Sequence, residues 1–348
     1  MRPAYCRDAA LNVIEPVSSL EAKVHFLLQP ASYPEPTLGV EAVETHMSWV
    51  FLTDRFAYKL KKPAKTSFLD FSTVELRRHF CEEEVRLNRR LAPAVYVNTV
   101  AITRPDGEFT LGGDGPAIDW LVKMHRLPRD RMLDQAIRNR SYTHDDIERL
   151  AVRLSTFYRN APAVPLNAFD YRQRLELAVA ANLDELRKAG SVLALEQVAF
   201  VHSAQLAFIH RNSPLLDRRV GEGRIIEAHG DLRPEHVGLD GDPQVIDCLE
   251  FNAEFRTLDP VDELAFFAIE CETLDAPEIG MLVFARYRTQ TGDDPAPQLV
   301  DFHKSYRAAL RSKLSIWHLG EPRVRDPARW PAQARRYLNL ARTYADRL

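Results

Sequence analysis

Residues 229–236 read His-Gly-Asp-Leu-Arg-Pro-Glu-His, and residues 245–250, after a short hairpin, read Val-Ile-Asp-Cys-Leu-Glu. A predicted strand precedes the first run, so Asp231 and Asp247 fall near the ends of neighbouring strands. Phosphoryl transfer uses such a pair, because one carboxylate orients a hydroxyl proton while the other holds magnesium against the phosphates. An aspartate in a tight turn can instead cap backbone N–H groups. The succession of His-Gly-Asp, hairpin and Ile-Asp favours the chemical role.

The first third of the chain is rich in predicted strands. Apolar residues alternate or cluster there, and Pro-Asp-Gly at residues 105–107 is typical of a hairpin turn. The predicted strands cover residues 40–45, 48–53, 55–60, 95–102, 108–111 and 120–124. Helices are predicted over residues 19–28 and 73–92. The pattern indicates an antiparallel sheet with one inserted helix.

The rest of the chain is mostly helical in pattern. Predicted helices cover residues 143–159, 170–189, 193–210, 260–274, 277–290, 297–318 and 327–347. A β island at 224–251, which contains both aspartates, interrupts them. We therefore predict an α+β fold with two lobes, a β-rich N-lobe over residues 1–122 and a larger helical C-lobe over 123–348.

The bulk composition excludes several classes of protein. The chain has 348 residues, 45% of them hydrophobic, and a formal net charge of −3, which does not suit a generally basic nucleic-acid binder. Its four cysteines, Cys6, Cys81, Cys248 and Cys271, form no CxxC pair, so free thiols in a reducing compartment are expected. We see no secretory leader and no apolar run of the roughly 20 residues that span a bilayer. We expect a cytoplasmic protein without a membrane partner.

The catalytic run resembles a known superfamily, that of the aminoglycoside phosphotransferases and choline kinases, which are relatives of protein kinases. Its members carry His-Gly-Asp-x-x-x-x-Asn, then a short hairpin, then Ile-Asp. The resemblance implies a bilobal protein kinase-like fold and ATP as the phosphate donor. It implies that Asp231 takes or orients the acceptor proton, that Asp247 binds Mg²⁺, and that His229 braces the loop.

The same resemblance extends into the strand-rich third. Phe-Ala-Tyr-Lys at 56–59 resembles the strand whose lysine binds the α- and β-phosphates, so Lys59 is the candidate. Lys61 and Lys62 are alternatives, and either can be a solvated side chain. The helix with Cys-Glu-Glu-Glu-Val-Arg-Leu at 81–87 resembles the one whose glutamate pairs with that lysine. Helical spacing favours Glu84, with Glu83 as the alternative.

Two further segments are candidates for nucleotide binding. Leu-Val-Lys-Met at 121–124 takes the place of the family's hinge strand, which makes Val122 and Met124 candidates for contact with adenine. The turn at 44–48 lacks the glycines of a protein kinase, and close backbone approach to phosphate is harder without them. The hydroxyls of Thr45 and Ser48 are the candidate donors there.

His236 departs from the family pattern, because the resemblance predicts asparagine at this position. Magnesium prefers oxygen ligands, whereas imidazole suits manganese, zinc and other transition metals. His236 therefore binds metal with an altered preference, contacts phosphate, or leaves one metal site empty. Mn²⁺ becomes a candidate cofactor beside Mg²⁺. Glu250, three residues beyond Asp247, is a further candidate metal ligand, and a salt bridge with Arg233 is its alternative role.

Residues 259–265, Asp-Pro-Val-Asp-Glu-Leu-Ala, resemble the helix start that follows the metal loop in this superfamily. Asp259 before Pro260 predicts a helix N-cap. Asp262 is predicted to be structural, with a tether to the catalytic loop as an alternative. Tyr158 is predicted to pack rather than react.

The runs at 58–63, 246–251 and 262–266 resemble, more specifically, a group of uncharacterised bacterial proteins often fused to a P-loop ATP-binding domain. This chain has no Gly-x-x-x-x-Gly-Lys-Ser/Thr run, so a P-loop ATPase-type protein is a candidate partner. The leading functional hypothesis is a kinase that moves the γ-phosphate of ATP to a hydroxyl of a small molecule. The alternatives are a degenerate nucleotide sensor and, third, a metal-dependent hydrolase with ligands from residues 229–250.

Overall fold

The computed structural model describes residues 19–66, 68–320 and 328–348. The chain divides into two compact units. One, the β-rich unit, takes in the described residues up to Val85 together with Val97–Arg126, and the other, the helical unit, takes in Arg86–Tyr96 and Leu127–Leu348. The predicted domain bounds, 1–122 and 123–348, place residues 86–96 and 123–126 differently. As domain bounds they stay a prediction.

The β-rich unit is built on a six-stranded sheet. The strands are β1 Glu41–Glu44, β2 Ser48–Leu52, β3 Phe56–Lys61, β4 Tyr96–Thr103, β5 Thr110–Leu111 and β6 Ala117–His125. Their order in the sheet is β1-β2-β3-β6-β4-β5. Helix α1 spans Leu20–Leu27, with Ser19 as its N-cap, and α2 spans Val74–Asn88. The predicted strands and both helices are confirmed here, with end points that differ by a few residues.

The two faces of β3 have different partners. Tyr58 and Leu60 point into an apolar cluster with Leu27, Phe51 and Leu121, all of them fully buried. Since side chains alternate along a strand, Lys59 and Lys61 lie on the opposite face. The burial of Tyr58 and Leu60 therefore fixes which way the two lysines point.

The helical unit contains the remaining elements. Its helices are α3 Leu133–Asn139, α4 His144–Asn160, α5 Ala168–Arg187, α6 Leu195–Arg211, α7 Ser213–Gly221, α8 Ala253–Arg256, α9 Pro260–Thr273, α10 Pro277–Thr291, α11 Pro297–Trp317 and α12 Arg329–Ala345. The strand pairs are β7 Ile226–Glu227 with β10 Thr257–Leu258, and β8 Val237–Gly238 with β9 Gln244–Val245. The predicted α+β fold is confirmed, although the β island is reduced to two-residue strands. The short helices α3, α7 and α8 were not predicted.

Helix α9 is the central helix of this unit, and its residues from Pro260 to Cys271 are all buried. The predicted cap is present, because the Asp259 carboxylate accepts a hydrogen bond from the Val261 N–H at 2.9 Å. The Arg219 guanidinium donates to both carboxylate oxygens of Asp259, at 2.7 Å each. Since Arg219 belongs to α7, this pair holds the start of α9 against α7.

Two acidic side chains at the start of α9 have different partners. Asp262 accepts from the Arg307 guanidinium at 2.6 and 2.9 Å, so the alternative that it tethers the catalytic loop is wrong. Glu263 is the tether: its Oε1 accepts from the backbone N–H of His229 at 2.9 Å and of Gly230 at 2.6 Å. Its Oε2 accepts from the hydroxyl of Tyr158 at 2.8 Å.

Cys81, Cys248 and Cys271 are buried thiols, and Cys6 lies outside the described residues. Across the described part of the chain, no helix is both long enough and apolar enough to cross a membrane.

We predict that Glu263→Leu lowers the free energy of unfolding by about 2–5 kcal/mol, because two buried N–H donors lose their acceptor. Glu263→Gln is the matched control. It keeps one carbonyl oxygen for both N–H groups, and its NH2 can donate to the Tyr158 hydroxyl, so a loss of about 1 kcal/mol is expected. Urea denaturation measures both values, and equal losses would contradict the tether.

Candidate active site

The candidate catalytic turn, residues 229–231, is held by the His229 ring, and both ring nitrogens form hydrogen bonds. Its Nε2–H donates to the carbonyl of Ile246 at 2.9 Å, and its Nδ1 accepts from the N–H of Asp231 at 3.3 Å. The side chain is only 1% exposed. Burial, with a smaller contribution from His236, lowers the pKa of His229 to about 4, so the ring is neutral near pH 7. This geometry suits the expected bracing role.

Asp231, which follows this turn, has a side chain that is 25% exposed. One carboxylate oxygen, Oδ1, lies 3.2 Å from Arg233 Nε, and the other, Oδ2, lies 3.6 Å from His236 Nδ1. Burial alone would raise the pKa of Asp231, but Arg233, followed by His236 and Arg311, holds it below its ordinary value. The carboxylate is therefore ionised and able to accept a proton or a hydrogen bond.

His236 lies between the two predicted acidic residues. Its Nδ1–H donates to the backbone carbonyl of Asp231 at 2.9 Å. Its Nε2 lies 3.2 Å from Arg233 Nη2 and 3.5 Å from Asp247 Oδ2. The structure thus places the residue that departs from the family pattern against both Asp231 and Asp247.

Asp247 has a left-handed backbone conformation with φ of 65°. Few residues other than glycine adopt it, although aspartate does so more readily than most. Two hydrogen bonds hold the segment: the N–H of Asp247 donates to the Tyr96 hydroxyl at 3.1 Å, and the N–H of Cys248 donates to Asn88 Oδ1 at 2.9 Å. The Asp247 side chain remains 45% exposed, so its oxygens are accessible to a metal ion.

Glu250 is buried, and its backbone carbonyl accepts from Arg256 Nη1 at 3.2 Å. Arg233, its predicted alternative partner, forms ion pairs with Asp231 and Glu235. In the part of the chain that the structure describes, no three His, Cys, Asp or Glu side chains are grouped as a metal cage. The metal role of Glu250 stays a prediction.

In the β-rich unit, Glu84 pairs with two lysines. Its Oε1 lies 2.9 Å from Lys59 Nζ, and its Oε2 lies 2.6 Å from Lys61 Nζ. The interpretation of Lys61 as a solvated side chain is wrong: it is fully buried, whereas Lys59 is 14% exposed. Lys62 pairs with Glu44 at 2.7 Å instead.

Strand register gathers the other candidates on the same sheet face. Val122 lies opposite Lys59, Met124 opposite Ala57 and Ser48 opposite Lys61. Directly opposite residues share a face, so Ser48, Val122 and Met124 lie on the face of the two lysines. Thr45 differs, because its hydroxyl donates to the carbonyl of Ser48 at 3.0 Å inside the turn.

The sequence did not identify Glu263 as a functional residue. Asp262 and Glu263 are adjacent acidic residues after the same Asp-Pro cap, and no local pattern separates them. Only the rotation of α9 in the folded unit shows which one reaches the catalytic turn.

We predict that Gly230→Ala is strongly destabilising. Gly230 has φ of 89°, and an added Cβ would lie 3.0 Å from Leu249 Cδ1 and 3.1 Å from the Phe255 carbonyl oxygen. Gly241→Ala is the matched control, because Gly241 has φ of 69° but nothing within 4 Å. The control should lose about 1–2 kcal/mol from backbone strain alone, and Gly230→Ala about 1–3 kcal/mol more. Similar losses in urea denaturation would rule out the crowding.

A pH dependence follows from His229. The folded-state pKa of about 4 lies below the unfolded value of about 6.5, so the unfolded chain binds the proton first as the pH falls. The unfolding free energy should therefore decrease between about pH 6.5 and pH 4, by at most about 3 kcal/mol from this residue. Urea denaturation across that range should show the decrease for wild type relative to His229→Gln. A difference that does not change with pH would contradict a neutral buried ring.

The comparisons with known sequences give relatives of unknown activity. No family model matches the chain. Uncharacterized proteins of Mycobacterium tuberculosis and Mycobacterium bovis are 32% identical to it over 286 residues. The match covers 80% of this chain and 55% of each relative, so the chain spans about half the length of the curated relatives it matches.

Solved structures share the fold. The GDP and kanamycin complex of APH(2")-IIia has a TM-score of 0.58 at 15% identity, covering 93% of this chain and 99% of that one. The GDP complex of wild-type aminoglycoside 2'-phosphotransferase-IIIa has a TM-score of 0.54 at 13% identity, covering 92% and 98%. Choline kinase from Cryptosporidium parvum Iowa II has a TM-score of 0.53 at 12% identity, covering 94% and 97%. The chain therefore has the protein kinase-like fold of the aminoglycoside phosphotransferases and choline kinases.

Proposed function

We propose that the chain transfers the γ-phosphate of ATP to a hydroxyl group of a small molecule. One observation carries the proposal: the carboxylates of Asp231 and Asp247 lie within 3.6 and 3.5 Å of the two ring nitrogens of His236. Two acidic groups held this close to one side chain form the pair that phosphoryl transfer needs.

Asp231 is the group that we assign to the acceptor. Its ionised carboxylate accepts a hydrogen bond from the acceptor hydroxyl and orients the oxygen for in-line attack on the γ-phosphorus. The proton passes from the hydroxyl to the Asp231 carboxylate as the new O–P bond forms, and the bond from the γ-phosphorus to the bridging oxygen breaks with ADP as the leaving group. His229 keeps the turn in place from behind and takes no proton near pH 7.

Asp247 is the group that we assign to the magnesium ion. Mg²⁺ usually binds one or two carboxylates together with substrate phosphates and water, so a cage of three protein ligands is not required. The accessible oxygens of Asp247 fit that mode. When bound, the ion neutralises charge on the phosphates.

The β-rich unit is proposed to bind the nucleotide. Lys59, the partly exposed partner of Glu84, binds the phosphates, and Lys61 holds the other oxygen of Glu84. Val122 and Met124 supply apolar surface for the base, and Ser48 shares their sheet face. Thr45 remains a weaker candidate, because its hydroxyl already donates within the turn.

The acceptor is proposed to be a small molecule that bears a hydroxyl. The solved neighbours include a kanamycin complex and a choline kinase, and that likeness supports this class without choosing a member of it. A cytoplasmic location and a P-loop ATPase-type partner rest on the sequence alone.

A nucleotide sensor without transfer activity is the second candidate. Two observations favour it: His236 stands where the family has asparagine, and the Thr45 hydroxyl is engaged within its own turn. The hydrolase alternative has less support, because both nitrogens of His229 are engaged in hydrogen bonds and cannot bind a metal.

The test is transfer of labelled γ-phosphate from ATP or GTP to sugars, amino alcohols, aminoglycosides and nucleosides, with Mg²⁺ and Mn²⁺ compared. We expect Asp231→Asn to slow transfer roughly 100- to 10,000-fold while nucleotide affinity changes little. Asp240→Asn, at an exposed position of the hairpin, is the matched control and should retain activity. Nucleotide binding by a wild-type chain that transfers to no acceptor would support the sensor instead.

A further inference from the structure

The environment of His236 determines which of its nitrogens carries the proton. Arg233 Nη2 lies 3.2 Å from His236 Nε2, and a guanidinium can only donate. Nε2 therefore accepts with its lone pair, and the proton is on Nδ1, which donates to the Asp231 carbonyl at 2.9 Å. Both nitrogens of the ring are thus engaged.

This arrangement bears directly on metal binding at His236. Imidazole binds a metal through a nitrogen lone pair, and the lone pair of His236 is the one that Arg233 uses. The same Nε2 lies 3.5 Å from Asp247 Oδ2, so two electron-pair donors face each other at this point. With the proton of the ring on Nδ1, a positive charge beside Nε2 favours this arrangement, and the Arg233 guanidinium supplies one there.

Arg233 has three polar neighbours in this turn. Its Nε lies 3.2 Å from Asp231 Oδ1, its Nη1 lies 2.8 Å from Glu235 Oε1, and its Nη2 contacts His236. The side chain is largely buried, with 18% exposed. A planar guanidinium with one hydrogen bond to His236 and ion pairs to two carboxylates is pre-organised in a way that a lysine is not.

Asparagine at position 236 would give a different local chemistry. Its side-chain oxygen prefers Mg²⁺ as a ligand, and its NH2 group could donate to the Asp231 carbonyl. Histidine makes the same donation through Nδ1 but offers nitrogen on its other side. That nitrogen is a good acceptor for an arginine and a poor ligand for Mg²⁺.

We propose that the Arg233 guanidinium, held by His236, takes the place of one of the metal ions of this phosphotransferase. The chain then binds a single divalent cation, at Asp247, and His236 is not a metal ligand. Arg233 supplies fixed positive charge beside Asp231 and the transferring phosphoryl group. This inference rests on the proposed function.

The test uses the full chain, labelled with ¹⁵N-histidine, with Mn²⁺ in place of Mg²⁺ and a non-hydrolysable ATP analogue. Electron paramagnetic resonance counts the bound Mn²⁺, and electron–nuclear double resonance detects directly coordinated ¹⁵N. We expect one Mn²⁺ per chain and no histidine coupling. Arg233→Met frees His236 Nε2, so it should gain a ¹⁵N coupling and a second Mn²⁺.

Two control variants test whether the ¹⁵N coupling and the second Mn²⁺ gained by Arg233→Met come from His236. The double variant Arg233→Met/His236→Gln should lose the ¹⁵N coupling again, and Arg218→Met, which removes an arginine with a 63% exposed side chain, should behave as wild type. A histidine coupling or two Mn²⁺ ions in wild type would overturn this inference and leave the transferase intact. Failure to bind Mn²⁺ with the nucleotide would overturn both. The wild-type spectra decide the question even where Arg233→Met folds poorly.

Discussion

The catalytic turn depends on one buried carboxylate, that of Glu263. A single oxygen accepts the N–H groups of His229 and Gly230, so the two residues before Asp231 are fixed to the start of α9. Burial raises the pKa of Glu263, and the two N–H groups oppose that shift without cancelling it. Since α9 is buried from Pro260 to Cys271, the core of the helical unit determines where Asp231 lies.

That core holds further acidic side chains of the same segment against arginines from other helices. Asp259 pairs with Arg219, Asp262 with Arg307, and Glu270 lies 3.0 Å from Arg311 Nε. Buried ion pairs contribute little net stability, because desolvation offsets much of their attraction. Their directed geometry fixes the rotation of α9 instead. That rotation decides that Glu263, and not its neighbour Asp262, reaches the catalytic turn.

The parts that the sequence predicted are those whose information is local. Most helices and strands followed from hydrophobic period, and Glu84 followed from its spacing on α2. The buried state of Lys61 was missed, because alternation assigns its face but not the second carboxylate oxygen that it pairs with. The orientation of the His236 ring was equally inaccessible, since it depends on Arg233, whose own direction is set by Asp231 and Glu235. Likewise, the two-residue strands carry too little periodic signal to be bounded.

The backbone conformations of Gly230 and Asp247 constrain the positions of the two candidate carboxylates. Gly230 and Asp247 adopt left-handed conformations, with φ of 89° and 65°. For a residue with a Cβ this conformation costs roughly 1–2 kcal/mol, and it persists only where the surroundings demand it. At position 230 there is no room for a side chain, so glycine is required. At Asp247 the conformation is held by hydrogen bonds from the N–H of Asp247 to Tyr96 and from the N–H of Cys248 to Asn88. A non-glycine residue retained in such a conformation, with its carboxylate exposed beside His236, is best explained by a requirement on where that carboxylate lies.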